Sequence, residues 1–197
     1  FLRKPNGNKK VKPMLQLFGK KKLNTERVAH HLVNAILNSV DEGFDSIAEY
    51  IAYCPEFVTT PPISKSDSGK FLMIVIAGNF SVLPRFFTNG QDQEIMAEAI
   101  KKLAPVFDLS EGQFIAVVNE YKDMMSRVNA PSKNTLYAMS KGVFHKYNLN
   151  EYQQDYFKMM QTPNPLFLKK MDEIMSNFLF NWESFNDKFK VVSQAVA

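Results

Sequence analysis

Through most of the chain, apolar residues recur every three or four positions, which is the spacing of one face of an α-helix. The first apolar face runs from Val28 to Val40, after an Asn24/Thr25 pair that is typical of a helix N-cap. Asp41-Glu42-Gly43 is expected to end this helix, and helical spacing resumes from about Phe44 to Tyr53. Further helices are predicted over residues 68–83, 95–103, 110–128, 132–147, 150–160 and 164–192. The pattern therefore predicts an all-α fold, an irregular bundle of about 7–8 helices.

One apolar run, Phe71 to Ile76, fits a buried strand as well as a buried helix. No partner strand is visible elsewhere in the sequence, and an unpaired strand would bury backbone groups without hydrogen bonds. A buried helix is therefore predicted here, ended by Pro84. Further along the chain, Ser110 and Gln113 have the spacing of a capping box at the start of the next clear apolar face.

The strongest pattern is at the C-terminal end, where Asn164 is a predicted cap and Pro165 takes the first helical position. An apolar stripe follows, formed by Phe167, Met171, Ile174, Phe178, Trp182, Phe185, Phe189 and Val192. This spacing predicts one long C-terminal helix of about 28 residues, roughly 42 Å in length. Phe180 falls off the stripe, so either this helix is buried on two sides or Phe180 faces a partner.

Charge divides the chain into two parts. Residues 1–22 hold eight basic residues and no acidic one, while residues 23–197 hold 16 basic and 20 acidic residues. This division predicts a basic N-terminal arm, residues 1–22, attached to a single all-helical domain, residues 23–197. Within the domain, the Pro/Ser/Thr-rich segment 55–68 is predicted to be a long loop, with a structural linker favoured over a binding loop.

A basic arm can neutralise nucleic-acid phosphates, lie on an anionic membrane or dock on an acidic protein, and a solvated tail is the alternative. If the arm is functional, the residues expected to contact the partner are Lys9, Lys10, Lys12, Lys20, Lys21 and Lys22, together with Phe180. The expected partner is a protein or a larger assembly, and an anionic surface such as nucleic acid or membrane also fits residues 1–22.

Motifs of the common enzyme and cofactor-binding classes do not occur. The chain contains no G-x-x-x-x-G-K-[ST], G-x-G-x-x-G, H-E-x-x-H, C-x-x-C or G-x-S-x-G motif. A single cysteine, Cys54, excludes an internal disulfide and a cysteine-based zinc cluster, and it indicates a reducing, cytoplasmic location. No apolar run approaches the roughly 20 residues of a bilayer span. No cofactor, metal or transmembrane segment is therefore predicted.

The first helix carries a polar stripe opposite its apolar face. The stripe consists of Arg27, His30, His31, Asn34, Asn38 and Asp41. It is either an ordinary solvated face or the lining of a cleft for a polar ligand, in which a histidine could donate or accept a proton near neutral pH.

Three functional hypotheses follow. The first is a non-catalytic helical interaction protein, an adaptor or accessory subunit, which docks through the basic arm and an exposed apolar surface. The second is a helical module that binds an apolar or amphipathic small ligand among its 17 phenylalanines and ten methionines. The third is an enzyme that uses the histidine-bearing helix face. An internal cavity would favour the second hypothesis, and a closed cleft over the polar stripe would favour the third.

Overall fold

The computed structural model describes residues 19–193, and the predictions for Lys9, Lys10 and Lys12 lie outside these residues. Within them the chain forms eight α-helices and one two-stranded sheet, which confirms the all-α prediction. The elements are β1 (Lys21–Asn24), α1 (Thr25–Ala52), α2 (Ser68–Val82), α3 (Gln91–Leu103), α4 (Glu111–Asn129), α5 (Thr135–Lys146), α6 (Asp155–Met159), α7 (Pro165–Met175), α8 (Trp182–Lys188) and β2 (Phe189–Val192).

Helix α1 is a single helix of 28 residues, so the break predicted at residues 41–43 is wrong. Its start is as predicted, since the Asn24 side chain accepts a hydrogen bond from the N–H of Arg27 at 3.0 Å. Gly43 lies inside the helix, and the ring of Phe178 packs against it. A Cβ on Gly43 would lie 2.9 Å from that ring. The small helix penalty of a glycine is offset here by close packing.

Helix α2 is the central helix of the bundle and contacts α1, α4 and α5. Its side chains from Phe71 to Phe80 are almost all buried, as expected for an apolar run in a helix surrounded by other helices. A 3₁₀ turn that contains Pro84 follows its last residue. The prediction of a buried helix, and not a strand, is confirmed.

The long C-terminal helix predicted for residues 164–192 is wrong. Asn164 caps α7 as expected, but α7 ends at Met175 and is followed by a 3₁₀ turn at Ser176–Phe178. The chain then runs extended through Leu179 and starts a new short helix, α8, at Trp182. The apolar stripe is therefore divided among two α-helices, a turn and a strand.

The break is made by a side chain from α2. Asn79, which is fully buried, donates from Nδ2 to the carbonyl oxygens of Val75 at 2.9 Å and Phe178 at 2.8 Å. Its Oδ1 accepts a hydrogen bond from the N–H of Phe180 at 2.8 Å. The bonds to Phe178 and Phe180 satisfy backbone groups that a continuous C-terminal helix would have paired within itself. The C-terminal segment therefore turns at this point and does not continue along the bundle.

After the turn, β2 pairs with β1 in a two-stranded parallel sheet. Lys21 lies opposite Phe189, and Asn24 lies opposite Val192. Leu23 is buried, and Phe189 packs on the core, so one face of the sheet covers the bundle. The predicted boundary between arm and domain, after residue 22, falls inside β1.

The remaining connections follow their local sequence. Ser110 and Gln113 form the predicted capping box of α4. Helix α5 is capped by Asn134 and begins later than predicted, because the Ser132 hydroxyl accepts a bond from the Asn134 N–H before the helix starts. The segment 55–64 is irregular, a 3₁₀ turn follows at Lys65–Asp67, and α2 begins at Ser68.

Asn79→Leu tests the role of the buried amide. This substitution removes all three hydrogen bonds and leaves the Phe178 carbonyl and the Phe180 N–H without partners. Each unsatisfied buried group costs about 1–3 kcal/mol, so the free energy of unfolding should fall by about 3 kcal/mol or more. Denaturant titration measures the loss. The control, Ser81→Ala on the same helix, removes one bond to the Ala77 carbonyl and should cost less than about 1 kcal/mol. Equal losses would contradict the role given to Asn79.

Gly78→Ala and Gly112→Ala form a matched pair for helix packing. A Cβ on Gly78 would lie 2.4 Å from Sδ of the fully buried Met139, whereas nothing lies within 4 Å of a Cβ on Gly112. We expect Gly78→Ala to lower the free energy of unfolding by about 1–3 kcal/mol through overpacking. Gly112→Ala should raise it by up to about 1 kcal/mol. Thermal unfolding checks both, and stabilisation by both would mean that Met139 moves aside.

Candidate functional site

The polar stripe of α1 is exposed along its whole length. Arg27 and Asp41 are 14 residues apart on one helix, which separates them by about 21 Å along the axis. Nε2 of His30 lies 3.1 Å from the side-chain nitrogen of Asn34, one turn away. The ring of His31 stacks on that of Phe189 at 6.0 Å. The six residues are thus not gathered into one site.

A cleft of about 510 Å³ between α1 and the start of α2 contains two residues of the stripe, Asn38 and Asp41. Its other polar residues include Asp45 and Lys65, which form an exposed ion pair across the cleft. Arg27, His30, His31 and Asn34 do not line it. A role for histidine in proton transfer therefore finds no support in this cleft.

No three His, Cys, Asp or Glu side chains among residues 19–193 lie close enough to hold a metal ion. Cys54 is buried, and its Sγ lies 3.0 Å from Oε2 of Glu56 and 3.7 Å from the hydroxyl of Tyr50. Burial and the hydrogen bond to Glu56 raise the pKa of the Cys54 thiol to about 11. The thiol is thus protonated near neutral pH, which is the wrong state for a nucleophile.

An apolar cleft of about 380 Å³ lies between α1 and α7 and opens to solvent. Gly43, Ile47, Ile174 and Phe178 line it, with polar residues of α1 at its edge. The volume is at the lower end of the range of small-molecule sites. This cleft has room for the apolar ligand of the second hypothesis.

Phe180 is half-buried and packs on the core, and contact of its remaining exposed part with a partner stays a prediction. Its ring packs 4.4 Å from that of Trp182 and 5.5 Å from that of Phe185, measured between centroids. That prediction assumed a continuous helix. Because the helix breaks before Phe180, the ring turns back onto the core.

More exposed apolar side chains lie in and after α6, where we define a methionine patch. It consists of Tyr156, Met159, Met160 and Leu166, which are 68%, 83%, 62% and 65% exposed. The sequence predicts a helix over residues 150–160, which includes three of these four residues, and it does not predict their exposure. Helix α6 has only five residues, and none of them is buried.

Both ends of the described chain contribute to a second exposed surface, which we call the lysine face. It consists of Lys20, Lys21, Lys22, Lys188 and Lys190, all exposed. Lys22 and Lys190 are directly opposite each other in the sheet, on the side away from the core. Residues 20–24 and 188–192 include no acid, and the nearest in sequence are Glu26 and Asp187.

Within residues 19–193, none of these five ammonium groups forms an ion pair. Nζ of Lys20 donates to the carbonyl oxygen of Asn186 at 2.6 Å, which ties the start of β1 to the end of α8. Like charges directly opposite each other in a sheet are destabilising. The sheet therefore concentrates positive charge at a cost to its own stability.

The sequence indicated Lys20, Lys21 and Lys22 but not Lys188 and Lys190. The alternation Phe189-Lys190-Val191 is typical of a half-buried strand. This pattern does not stand out as a strand because Phe189 and Val192 also continue the helical spacing of the preceding apolar stripe.

Comparisons with protein-family models, with curated proteins and with solved structures found no match to this chain. Function is therefore inferred from the geometry of the described residues. Among those residues, no helix combines the length and the apolar character needed to cross a membrane.

Alkylation of Cys54 tests its protonation state. Raising the thiol pKa from 9.0 to about 11 lowers the thiolate fraction at pH 8 roughly 100-fold. We expect iodoacetamide to modify the folded protein at least 100-fold more slowly than the chain in urea, as followed by mass spectrometry. Glu56→Gln removes the carboxylate and should speed the reaction in the folded protein. Equal rates for the folded and unfolded protein would contradict this assignment.

Proposed function

We propose that this chain is a non-catalytic interaction protein that docks on an anionic partner through the lysine face. The observation that carries the proposal is the parallel register of β1 and β2, which places Lys22 opposite Lys190. Like charges at cross-strand positions oppose folding, and neither lysine forms an ion pair among the described residues. Such an arrangement is explained if the face serves to attract negative charge.

The sequence before β1 carries further positive charge. Residues 1–18 precede the face directly and include five further basic residues, Arg3, Lys4, Lys9, Lys10 and Lys12. A partner with a dense negative charge would contact both segments, and its association would be fast and sensitive to salt.

The methionine patch supports an adaptor or accessory role. Exposed methionine side chains adapt to differently shaped apolar partners. Met159 is 83% exposed, which leaves nearly all of its thioether chain available. We propose that this patch supplies the apolar contact with the larger assembly. The lone, buried Cys54 fits a cytoplasmic location for that assembly.

Lys22→Glu should change folding stability and polyanion binding in opposite directions. The substitution replaces a repulsive cross-strand pair with an attractive one, so the free energy of unfolding should rise by a few tenths of a kcal/mol. Binding to a heparin oligosaccharide, used as a polyanion probe, should weaken. The slope of log K against log salt should decrease by about 0.7–0.9 for each anionic group of the probe that the protein no longer neutralises. Thermal unfolding and fluorescence anisotropy measure the two effects.

The matched control is Lys169→Glu, an equal change of charge at an exposed position of α7. It should leave heparin affinity close to that of the wild type. Equal weakening by both substitutions would mean that net charge alone controls binding, and it would contradict docking through the lysine face.

A further inference from the structure

A cleft of about 270 Å³ lies beside the lysine face and joins three parts of the chain. Its lining includes Lys20, Phe86, Gln91, Asn186, Phe189 and Lys190. Two of these side chains are positively charged, and no lining residue is acidic. The cleft therefore combines charge, aromatic rings and amide groups in one place.

The aromatic rings of the cleft pack against other aromatic rings of the protein. Phe86 is 37% exposed, and its ring centroid lies 6.3 Å from that of the buried Trp182. Phe189 is half-buried and packs on Phe185 at 4.8 Å. Rings fixed in this way lose little conformational entropy when a flat group stacks on them. Because Phe189 is also stacked on His31, Phe86 is the ring that suits a ligand presenting a π-face.

Nε2 of Gln91 donates to the Val191 carbonyl oxygen at 3.5 Å, and the remaining groups of the Gln91 and Asn186 side-chain amides are donors and acceptors that match the edges of unpaired bases. Lys20 and Lys190 lie at the same cleft and can neutralise the adjoining phosphates. We infer that this cleft binds single-stranded nucleic acid, with a base against Phe86 and the backbone along the lysine face. The inference rests on the proposed docking through that face and names its partner.

A duplex fits the site less well, because its bases are stacked on each other and unavailable to a cleft of this size. An anionic membrane would favour apolar side chains that protrude beside the lysines. Here, by contrast, Phe86 and Phe189 line a concave surface together with amide groups. The arrangement of stacking ring, amides and lysines is that of a sequence-tolerant single-strand site.

Trp182 provides a built-in reporter, since it is the only tryptophan of the chain and its ring packs against Phe86 and Phe87. The full chain is titrated with 12-nucleotide oligouridylate and oligodeoxyuridylate while tryptophan fluorescence is recorded. Anisotropy of the labelled oligonucleotides gives the affinity. The two sugars distinguish RNA from DNA as the source. A 12-base-pair duplex and vesicles containing phosphatidylserine are the competing ligands.

Phe86→Leu keeps an apolar side chain but removes the ring. Loss of one stacked base should weaken binding about five-fold or more and leave the salt dependence unchanged. Tyr53→Leu, at a position 80% exposed, is the control for loss of an aromatic ring and should bind like the wild type. Lys190→Glu should reduce both the affinity and the slope of the salt dependence. Circular dichroism confirms that each variant is folded.

Each outcome supports or overturns a defined statement. Preference for single strands, with weaker binding by Phe86→Leu but not by Tyr53→Leu, supports the inference. Heparin binding that depends on Lys22, combined with equal or tighter binding of duplex or vesicles, overturns the inference and leaves the docking proposal standing. Equal affinity of Phe86→Leu and wild type for the oligonucleotides also overturns the inference. Absence of binding to every polyanion overturns both proposals.

Discussion

The side-chain amide of Asn79 makes three hydrogen bonds inside the core, and the course of the C-terminal third of the chain depends on them. A buried amide is stabilising only if its donors and acceptor are satisfied. Asn79 meets this condition by binding the backbone on both sides of Leu179, where the chain is extended. The segment after this point is therefore free to fold back as α8 and β2, and β2 can reach β1.

Local periodicity was sufficient to predict most helices, because amphipathic faces and caps are encoded within a few residues of one another. The Ser110 capping box and the buried helix α2 are examples. The predictions failed at Gly43 and around Phe178, where two segments that are far apart in sequence approach closely. A glycine that breaks a helix and a glycine that admits a ring look the same in a single sequence. Only the packing partner distinguishes them.

The candidate site, too, could be predicted from the sequence only in part. Lys20, Lys21 and Lys22 stand out as a run of charge, but Lys188 and Lys190 join them only because strands more than 160 residues apart pair in register. Phe86 and Gln91 come from a third segment and carry no motif of their own. A surface site assembled from several segments has no characteristic residue spacing in the sequence. A site on one helix, such as the stripe from Arg27 to Asp41, is visible in sequence but here remains an exposed face.

Folding and docking are linked through the sheet. The repulsion between Lys22 and Lys190 opposes pairing of β1 with β2, whereas burial of Leu23 and packing of Phe189 favour it. Under the proposed docking, a polyanion that neutralised the two lysines would remove the opposing contribution, and it would bind the paired sheet more tightly than separated strands. Binding to the folded form alone raises its stability as ligand concentration exceeds the dissociation constant. Under the proposed docking, the turn made by Asn79 and the charge of the lysine face would therefore act on one equilibrium, because strand pairing requires the turn and a bound anion would favour strand pairing.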